Sequence, residues 1–146
     1  MTEIDFHFNA PDKVSHTCRL LRKAVVARGT RLVVTGEWPM LDAVDAALWQ
    51  MAPSDFVAHC HRNAQPHVAQ RSPVLLTDNT DDVLAQQRPV LVNLGAGVPT
   101  GFERFERLIE IVTGDESDRQ LARQRWRHYA DRGYALKRYD LAAERT

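Results

Sequence analysis

Three short runs of apolar residues, separated by longer segments with helical periodicity, constrain the fold of this chain. The runs are R-L-V-V-T, P-V-L-L-T and P-V-L-V-N-L, and they start at Arg31, Pro73 and Pro89. Runs of this length and composition are typical of strands that are covered on both faces of a parallel sheet. We therefore predict one α/β domain over residues 1–146, in which helices flank a mainly parallel central sheet in three layers, as in a Rossmann-like fold.

The segments around these runs supply the other elements of this pattern. I-D-F-H-F, over residues 4–8, alternates with period two and predicts a strand. Asp12 is of a residue type that caps helices, and Gly29 suits the end of the helix that follows. The remaining predicted elements are a helix over 40–51, a short strand over 55–59, a loop over 61–72, a short helix over 81–86, an amphipathic helix over 102–112, a basic helix over 115–132 and an extended segment over 135–139.

Positive charge is concentrated near the carboxy terminus. The stretch from Arg119 to Tyr139 carries seven cations and a single acid, whereas the chain as a whole has 19 basic and 19 acidic residues. On a helix, Arg119, Arg123 and Trp126 share one face, so two guanidinium groups would flank an indole. A ligand with an anionic end and an apolar body would suit this face. The alternative is a solvated amphipathic helix with Trp126 in the core and the arginines in water.

Composition excludes several classes of function. Balanced total charge argues against general coating of nucleic acid, which needs many phosphate contacts. The acidic, polar start is unlike a signal peptide, and no apolar run approaches the length of a membrane span, so we expect a cytoplasmic protein without membrane contact. Cys18 and Cys60 are too few for a disulfide framework, and we expect both to be reduced thiols.

No reactive constellation stands out in the sequence. Gly95, Gly97 and Gly101 form a strand-to-helix turn, but their spacing is one residue longer than the dinucleotide fingerprint, and Pro99 removes one N–H donor. We therefore expect no functional nucleotide site, although a nucleotide-binding domain or enzyme using this turn remains the alternative. The cluster His59, Cys60, His61 and His67 lacks the paired spacing of a metal site, so we expect neither a metal nor a cofactor. A non-catalytic binding module fits these features better.

Two large aromatic residues flank the end of the helix predicted over 40–51. Trp49 and Phe56 stand on either side of Pro53, where side chains often reach the surface. Exposed aromatic residues of this kind often anchor protein interfaces. Their spacing suits a position in the core equally well.

Two long motifs resemble one known family. The first is V-D-A-A-L-W from Val44, followed by Phe56 and His59 at fixed spacing, and the second is L-A-R-Q-R-W-R-H-Y-A-D-R-G-Y over residues 121–134. Both resemble the chi subunit of bacterial DNA polymerase III, and the order of elements matches over nearly the whole chain.

The resemblance implies an accessory protein of DNA replication without catalysis of its own. In that family, chi pairs with the psi subunit, which tethers it to the clamp-loader complex. Another face binds the acidic C-terminal tail of single-stranded DNA-binding protein, which ends in Pro-Phe with a free carboxylate. The resemblance therefore implies only indirect contact with DNA, at the replisome on the nucleoid.

The same resemblance assigns roles to particular residues. Arg123 matches the arginine that holds the terminal carboxylate, and Trp126 and Val112 match the walls of the phenylalanine pocket. Arg119 and Arg127 match basic positions that would meet the acidic residues of the tail. Phe56 and Trp49 match aromatic residues of the psi-facing surface.

Overall fold

A seven-stranded, all-parallel sheet forms the centre of the molecule. The computed structural model describes residues 1–50, 72–80 and 88–142, together with the backbone of 59–61. Among these residues the strand order is β3-β4-β2-β5-β6-β1-β7, and every neighbouring pair is parallel. The strands are β1 Glu3–Ala10, β2 Leu32–Thr35, β3 His59–His61, β4 Val74–Thr77, β5 Val90–Asn93, β6 Arg107–Thr113 and β7 Leu136–Asp140.

Helices cover both faces of this sheet, which confirms the predicted three-layer α/β fold. Helix α1 spans Lys13–Arg22 and continues as a π-helix over Lys23–Ala27, helix α2 spans Trp38–Trp49, and helix α3 spans Glu116–Asp131. The carboxylate of Asp12 accepts a hydrogen bond from the Ser15 backbone N–H, as expected of an N-cap. Gly29 has a φ of 64°, which a glycine adopts without strain.

Each strand sends alternate side chains into two separate cores. Leu32 and Val34 of β2 pack with α1 and α2, whereas Val33 between them packs in the core beneath α3. This arrangement explains why the central strands are continuous apolar runs, since both of their faces are covered. The predicted strands at 4–8, 31–35, 73–77 and 89–94 and the extended segment at 135–139 are confirmed within one or two residues, apart from the longer β1.

The prediction of an amphipathic helix over 102–112 is wrong. A single 3₁₀ turn spans Phe102–Arg104, and strand β6 follows. The helical spacing of the apolar residues was a coincidence of two different elements. Within β6, Leu108 and Val112 face the core beneath α3, while Ile109 and Ile111 face the opposite core. Only the acid at position 110 interrupts this otherwise apolar run, and it is buried with partners described below.

Some predicted elements fall outside the described residues. These are the short helix at 81–86, most of the strand predicted at 55–59 and most of the loop at 61–72, although His59 and His61 are the ends of β3.

Strands β1 and β2 are parallel members of the same sheet, as a crossover unit requires, but they are not adjacent, because β6 and β5 lie between them. Cys18 is a buried free thiol, and its burial raises the pKa to about 11.

Asp118 joins the two helical layers across the end of β6. One carboxylate oxygen lies 3.1 Å from Lys13 Nζ of α1, and the other accepts hydrogen bonds from the Thr113 N–H and hydroxyl at 2.8 and 3.0 Å. Partial burial opposes ionisation, but the hydrogen bonds from Thr113 and the charge of Lys13 outweigh it and lower the pKa of Asp118.

We expect Asp118→Asn to lower the free energy of unfolding at pH 7 by about 1–2 kcal/mol, because it removes charged hydrogen bonds and the ion pair. Since the folded-state pKa is lowered, this stabilisation is complete above the unfolded value of about 4 and disappears as the pH falls through the lowered value. Urea unfolding at pH 7 and at acidic pH measures it, with Asp42→Asn, a change at an exposed acid of α2, as the control. A difference between wild type and Asp118→Asn that stays constant with pH would contradict this account.

Candidate functional site

A surface concavity lies between helix α3 and the carboxyl ends of strands β1 and β6. We call it the α3 concavity; its volume is about 300 Å³. Its lining residues come from β1, β6, α3 and β7, and they are Phe6, Phe8, Asn9, Val112, Thr113, Arg119, Ala122, Arg123, Trp126 and Arg138. The sequence prediction therefore brought together four residues that do line one site, namely Val112, Arg119, Arg123 and Trp126.

The floor of the α3 concavity is apolar and well packed. Trp126 is half-buried, and its indole meets the Phe6 ring edge-to-face with 5.0 Å between centroids. Ala122, one turn earlier on α3, and Val112, at the end of β6, are both buried. Trp126 therefore both packs against the core and forms part of the floor of the concavity, so neither interpretation of this residue excludes the other. A rigid aromatic surface of this kind suits an apolar side chain of a ligand.

Three guanidinium groups surround this apolar floor, and none of the described residues that line it is acidic. Arg123 is half exposed, and its Nη1 lies 3.3 Å from Glu116 Oε1. Arg119 approaches the same carboxylate at 4.0 Å. The exposed carboxylate of Glu116 thus pairs with both arginines, and exposed ion pairs of this kind contribute little stability. Both arginines therefore remain available to an anionic ligand.

Arg138, the third guanidinium, was not among the site residues predicted from the sequence. Its Cζ lies 4.9 Å from the centroid of the Phe8 ring and 5.8 Å from that of Trp126. Because side chains alternate along β7, the sequence predicts which residues share a face of the strand with Arg138. Only the parallel pairing with β1 places Arg138 beside Phe6. Phe6, Phe8 and Asn9 were missed for the same reason, because strand neighbours cannot be read from local sequence.

The remaining predicted site residues lie elsewhere or outside the described part of the chain. Arg127 is exposed on α3 but does not line the concavity. Trp49, at the end of α2, is 64% exposed and lies on the opposite side of the sheet from α3. Phe56 is outside the described residues. The structure therefore describes the surroundings of only one of the two aromatic residues predicted to face psi.

A buried polar network fixes α3 to the sheet directly behind the concavity. Glu110 of β6 is fully buried, and its carboxylate accepts hydrogen bonds from Arg125 Nε at 3.0 Å, from the Tyr129 hydroxyl at 2.6 Å and from Asn93 Nδ2 at 3.0 Å. Arg125 also donates to the Ala96 carbonyl at 2.9 Å. Arg125 is one of the seven cations in the stretch from Arg119 to Tyr139, but it is 2% exposed and contributes no charge to the surface.

Burial and pairing act in opposite directions on the ionisable groups of this network. Desolvation raises the pKa of Glu110, while the charge of Arg125 and hydrogen bonds from Tyr129 and Asn93 oppose that rise. Burial raises the pKa of the Tyr129 phenol, and the neighbouring Glu110 raises it further. Tyr129 therefore stays a neutral donor to Glu110. The sequence signal for this network was the single acid within the apolar strand L-I-E-I-V.

Comparison with known proteins supports the resemblance of the two motifs. The family model described as DNA polymerase III chi subunit, HolC, matches residues 1–137. This chain belongs to the DNA polymerase III chi subunit family. The DNA polymerase III subunit chi of Pseudomonas aeruginosa is 25% identical over 145 residues, an alignment that covers 97% of this chain and 98% of that protein. The family resemblance inferred from residues 44–59 and 121–134 is thus confirmed.

The glycine turn of this chi-family chain is held by the same buried network. The Asn93 amide donates to the Gly97 carbonyl at 3.1 Å, and the Gly95 N–H donates to the Asn93 side-chain oxygen at 2.9 Å. A second cavity of about 290 Å³ lies beside the turn, and the described residues of its lining include Glu37 and Asp78 but no lysine, arginine or histidine. Two acids without a cation disfavour a phosphate ligand.

Neither a metal cluster nor a membrane span is found where the structure describes the chain. No group of three or more His, Cys, Asp or Glu side chains in the described part is arranged to hold a metal ion. In that same part, no helix has the length and apolar character that crossing a bilayer demands. The side chains of His59, Cys60 and His61 and all of His67 lie outside the described residues.

We expect Glu110→Gln to lower the free energy of unfolding by about 3–5 kcal/mol, because it leaves the Arg125 guanidinium buried without a counter-charge. Urea unfolding measures this loss, and Glu103→Gln, at an exposed acid, is the matched control. The double variant Glu110→Gln, Arg125→Met removes both charges and is expected to recover part of the loss. A single-variant loss below about 1 kcal/mol would show that the pair does not hold α3 in place.

Proposed function

We propose that this chain is a non-catalytic accessory subunit of DNA polymerase III that connects other replication proteins to each other. In this proposal it binds the acidic C-terminal tail of single-stranded DNA-binding protein and pairs with the psi subunit. Psi in turn links it to the clamp-loader complex. The protein would work in the cytoplasm, at the replisome on the nucleoid, and would contact DNA only through its partners.

The observation that carries the tail-binding proposal is the chemistry of the α3 concavity. Phe6, Val112 and Trp126 provide an apolar floor, guanidinium groups surround it, and the part of the lining that the structure describes contains no acid. A peptide that ends in an aromatic residue with a free carboxylate has complementary chemistry, since the ring can pack on the floor while the carboxylate meets an arginine fork.

Each exposed arginine of α3 has a proposed role in this complex. Arg123, one turn before the indole of Trp126, is proposed to hold the terminal carboxylate. Arg119 lines the same concavity and is proposed to meet an acidic residue of the tail. Arg127 lies outside the lining, so any contact with the tail would be an exposed and well-screened one.

The expected affinity is modest. A partly desolvated arginine–carboxylate pair and one buried aromatic ring each contribute a few kcal/mol, but ordering a disordered tail offsets part of that gain. A dissociation constant on the order of 1 μM follows for the isolated peptide. Tethering through psi and several tails on one partner would raise the effective strength without new contacts.

We expect Arg123→Ala to weaken binding of a short acidic peptide ending in Pro-Phe by about tenfold or more, because a charged hydrogen bond in a partly enclosed site is lost. Arg127→Ala is expected to weaken it by less than about threefold. Fluorescence anisotropy at an ionic strength of about 0.1 M measures both, where screening reduces exposed contacts.

Two controls make this test specific. Lys23→Ala removes the same charge from an exposed residue of the π-helix, on the other side of the sheet, and is expected to leave binding unchanged. Amidation of the peptide's terminal carboxylate is expected to cost little further affinity in Arg123→Ala, since the contact is already lost. Equal losses from Arg123→Ala and Arg127→Ala would argue against carboxylate binding in the concavity, and a wild-type protein that binds ATP but ignores the peptide would overturn the tail proposal.

The psi-facing surface is proposed from Trp49 and Phe56. Trp49 is 64% exposed, which is unusual for an indole and typical of an interface anchor. Because its side chain is already largely in solvent, replacing it should perturb the fold little.

We expect Trp49→Ala and Phe56→Ala each to weaken binding of purified psi by about tenfold or more, with tail-peptide binding unchanged. Leu121→Ala, at an exposed apolar residue of α3, is the matched control. Isothermal titration with psi and with the peptide gives both affinities for each variant. If Trp49→Ala binds psi with wild-type affinity, Trp49 does not anchor that partner.

A further inference from the structure

Arg138 places a guanidinium on the strand side of the α3 concavity, opposite the two arginines of the helix. Strand β7 pairs in parallel with β1 and brings Arg138 level with Phe6. Its side chain then lies over Phe8 at 4.9 Å and over Trp126 at 5.8 Å. Cations therefore border the concavity on two sides, one formed by α3 and the other by β7.

The way Arg138 is held leaves its hydrogen-bond donors available. Within the described residues, the Arg138 guanidinium contacts the Phe8 and Trp126 rings and donates no hydrogen bond to a protein acceptor. In the described part of the chain, Arg138 forms no ion pair, whereas Arg119 and Arg123 approach Glu116. The nearby Asp140 is engaged by the Asn9 amide at 2.9 Å and by the Ala142 N–H at 3.0 Å. Arg138 is thus the least neutralised cation around the concavity.

Position and charge together indicate the path of a bound tail. Arg127 follows Arg123 along the helix but does not line the concavity, while Arg138 lines it from the other side. A peptide whose last residue occupies the floor near Arg123 reaches Arg138 by crossing the concavity. Extending along α3 towards Arg127 would instead leave the most available cation without a partner.

We propose that Arg138 is a specificity-determining residue that binds an acidic side chain upstream of the terminal Pro-Phe, so that the tail crosses from α3 to β7. This inference rests on the proposed function, because it requires the tail to occupy the concavity. It adds a preference for acidic residues before Pro-Phe, which Arg123 alone does not provide. The position of Cζ over two aromatic rings also favours arginine, since a planar, weakly hydrated guanidinium packs on aromatic rings better than a strongly hydrated lysine ammonium.

The test compares two peptides with three variants. One peptide carries acidic residues before Pro-Phe, and the other carries serine at those positions, with the same free carboxylate. Arg138→Met is expected to weaken the acidic peptide about tenfold and the serine peptide less than twofold, because the lost contact is to an acidic side chain. Arg138→Lys is expected to recover only part of that loss. Lys137→Met removes the same charge from the neighbouring residue of β7, which is exposed and does not line the concavity, and should bind like the wild type.

The outcomes separate this inference from the proposed function. If Arg138→Met binds both peptides like the wild type while Arg123→Ala binds poorly, the inference fails and the tail-binding proposal stands. If the wild type binds neither peptide, the tail-binding proposal itself fails. Equal losses for the acidic and serine peptides in Arg138→Met and Arg138→Lys would overturn the assignment of Arg138 to an acidic side chain. Thermal unfolding of each variant shows that a loss of binding is not a loss of fold, as expected for an exposed residue.

Discussion

The position of α3 depends on the hydrogen bonds and the ion pair that the carboxylate of Glu110 forms. A fully buried acid is costly unless charged and neutral donors surround it. Here those donors come from α3 and from β5, so the helix can pack on the sheet only where Arg125 and Tyr129 reach the acid. This requirement sets the rotation of α3 about its own axis. Arg123 and Trp126, which lie within two residues of Arg125 in the sequence, are consequently directed to the edge of the sheet where the concavity lies.

The α3 concavity therefore depends on how α3 and the strands are positioned against each other as much as on which residues line it. Its floor combines a helix with the ends of two strands that are more than 100 residues apart in sequence, as are Phe6 and Val112. Its charge comes from residues that the core does not need, because the buried Arg125 has taken the structural role. A division between one buried and several exposed arginines on a single helix lets binding residues vary without loss of the fold.

Much of the architecture could be predicted from the sequence, because buried parallel strands and capped helices have local signals. R-L-V-V-T, Asp12 and Gly29 each indicated their element correctly, and the i, i+4 and i+7 spacing placed Arg119, Arg123 and Trp126 on one face. The failure at 102–112 has a physical cause, since a run of large apolar residues fits a buried strand and a helix equally well. What local sequence could not supply was strand pairing. Phe6, Phe8 and Arg138 joined the site only through the pairing of β1 with β6 and β7.

The sheet also separates the exposed indole of Trp49 from the α3 concavity. Helix α2, with Trp49 at its end, packs in the core on one face, and the α3 concavity opens on the other. Partners docked on these two sides would not compete for space, so one could be exchanged while the other remained bound. Such an arrangement allows a subunit to stay anchored to one complex while it repeatedly releases and recaptures another.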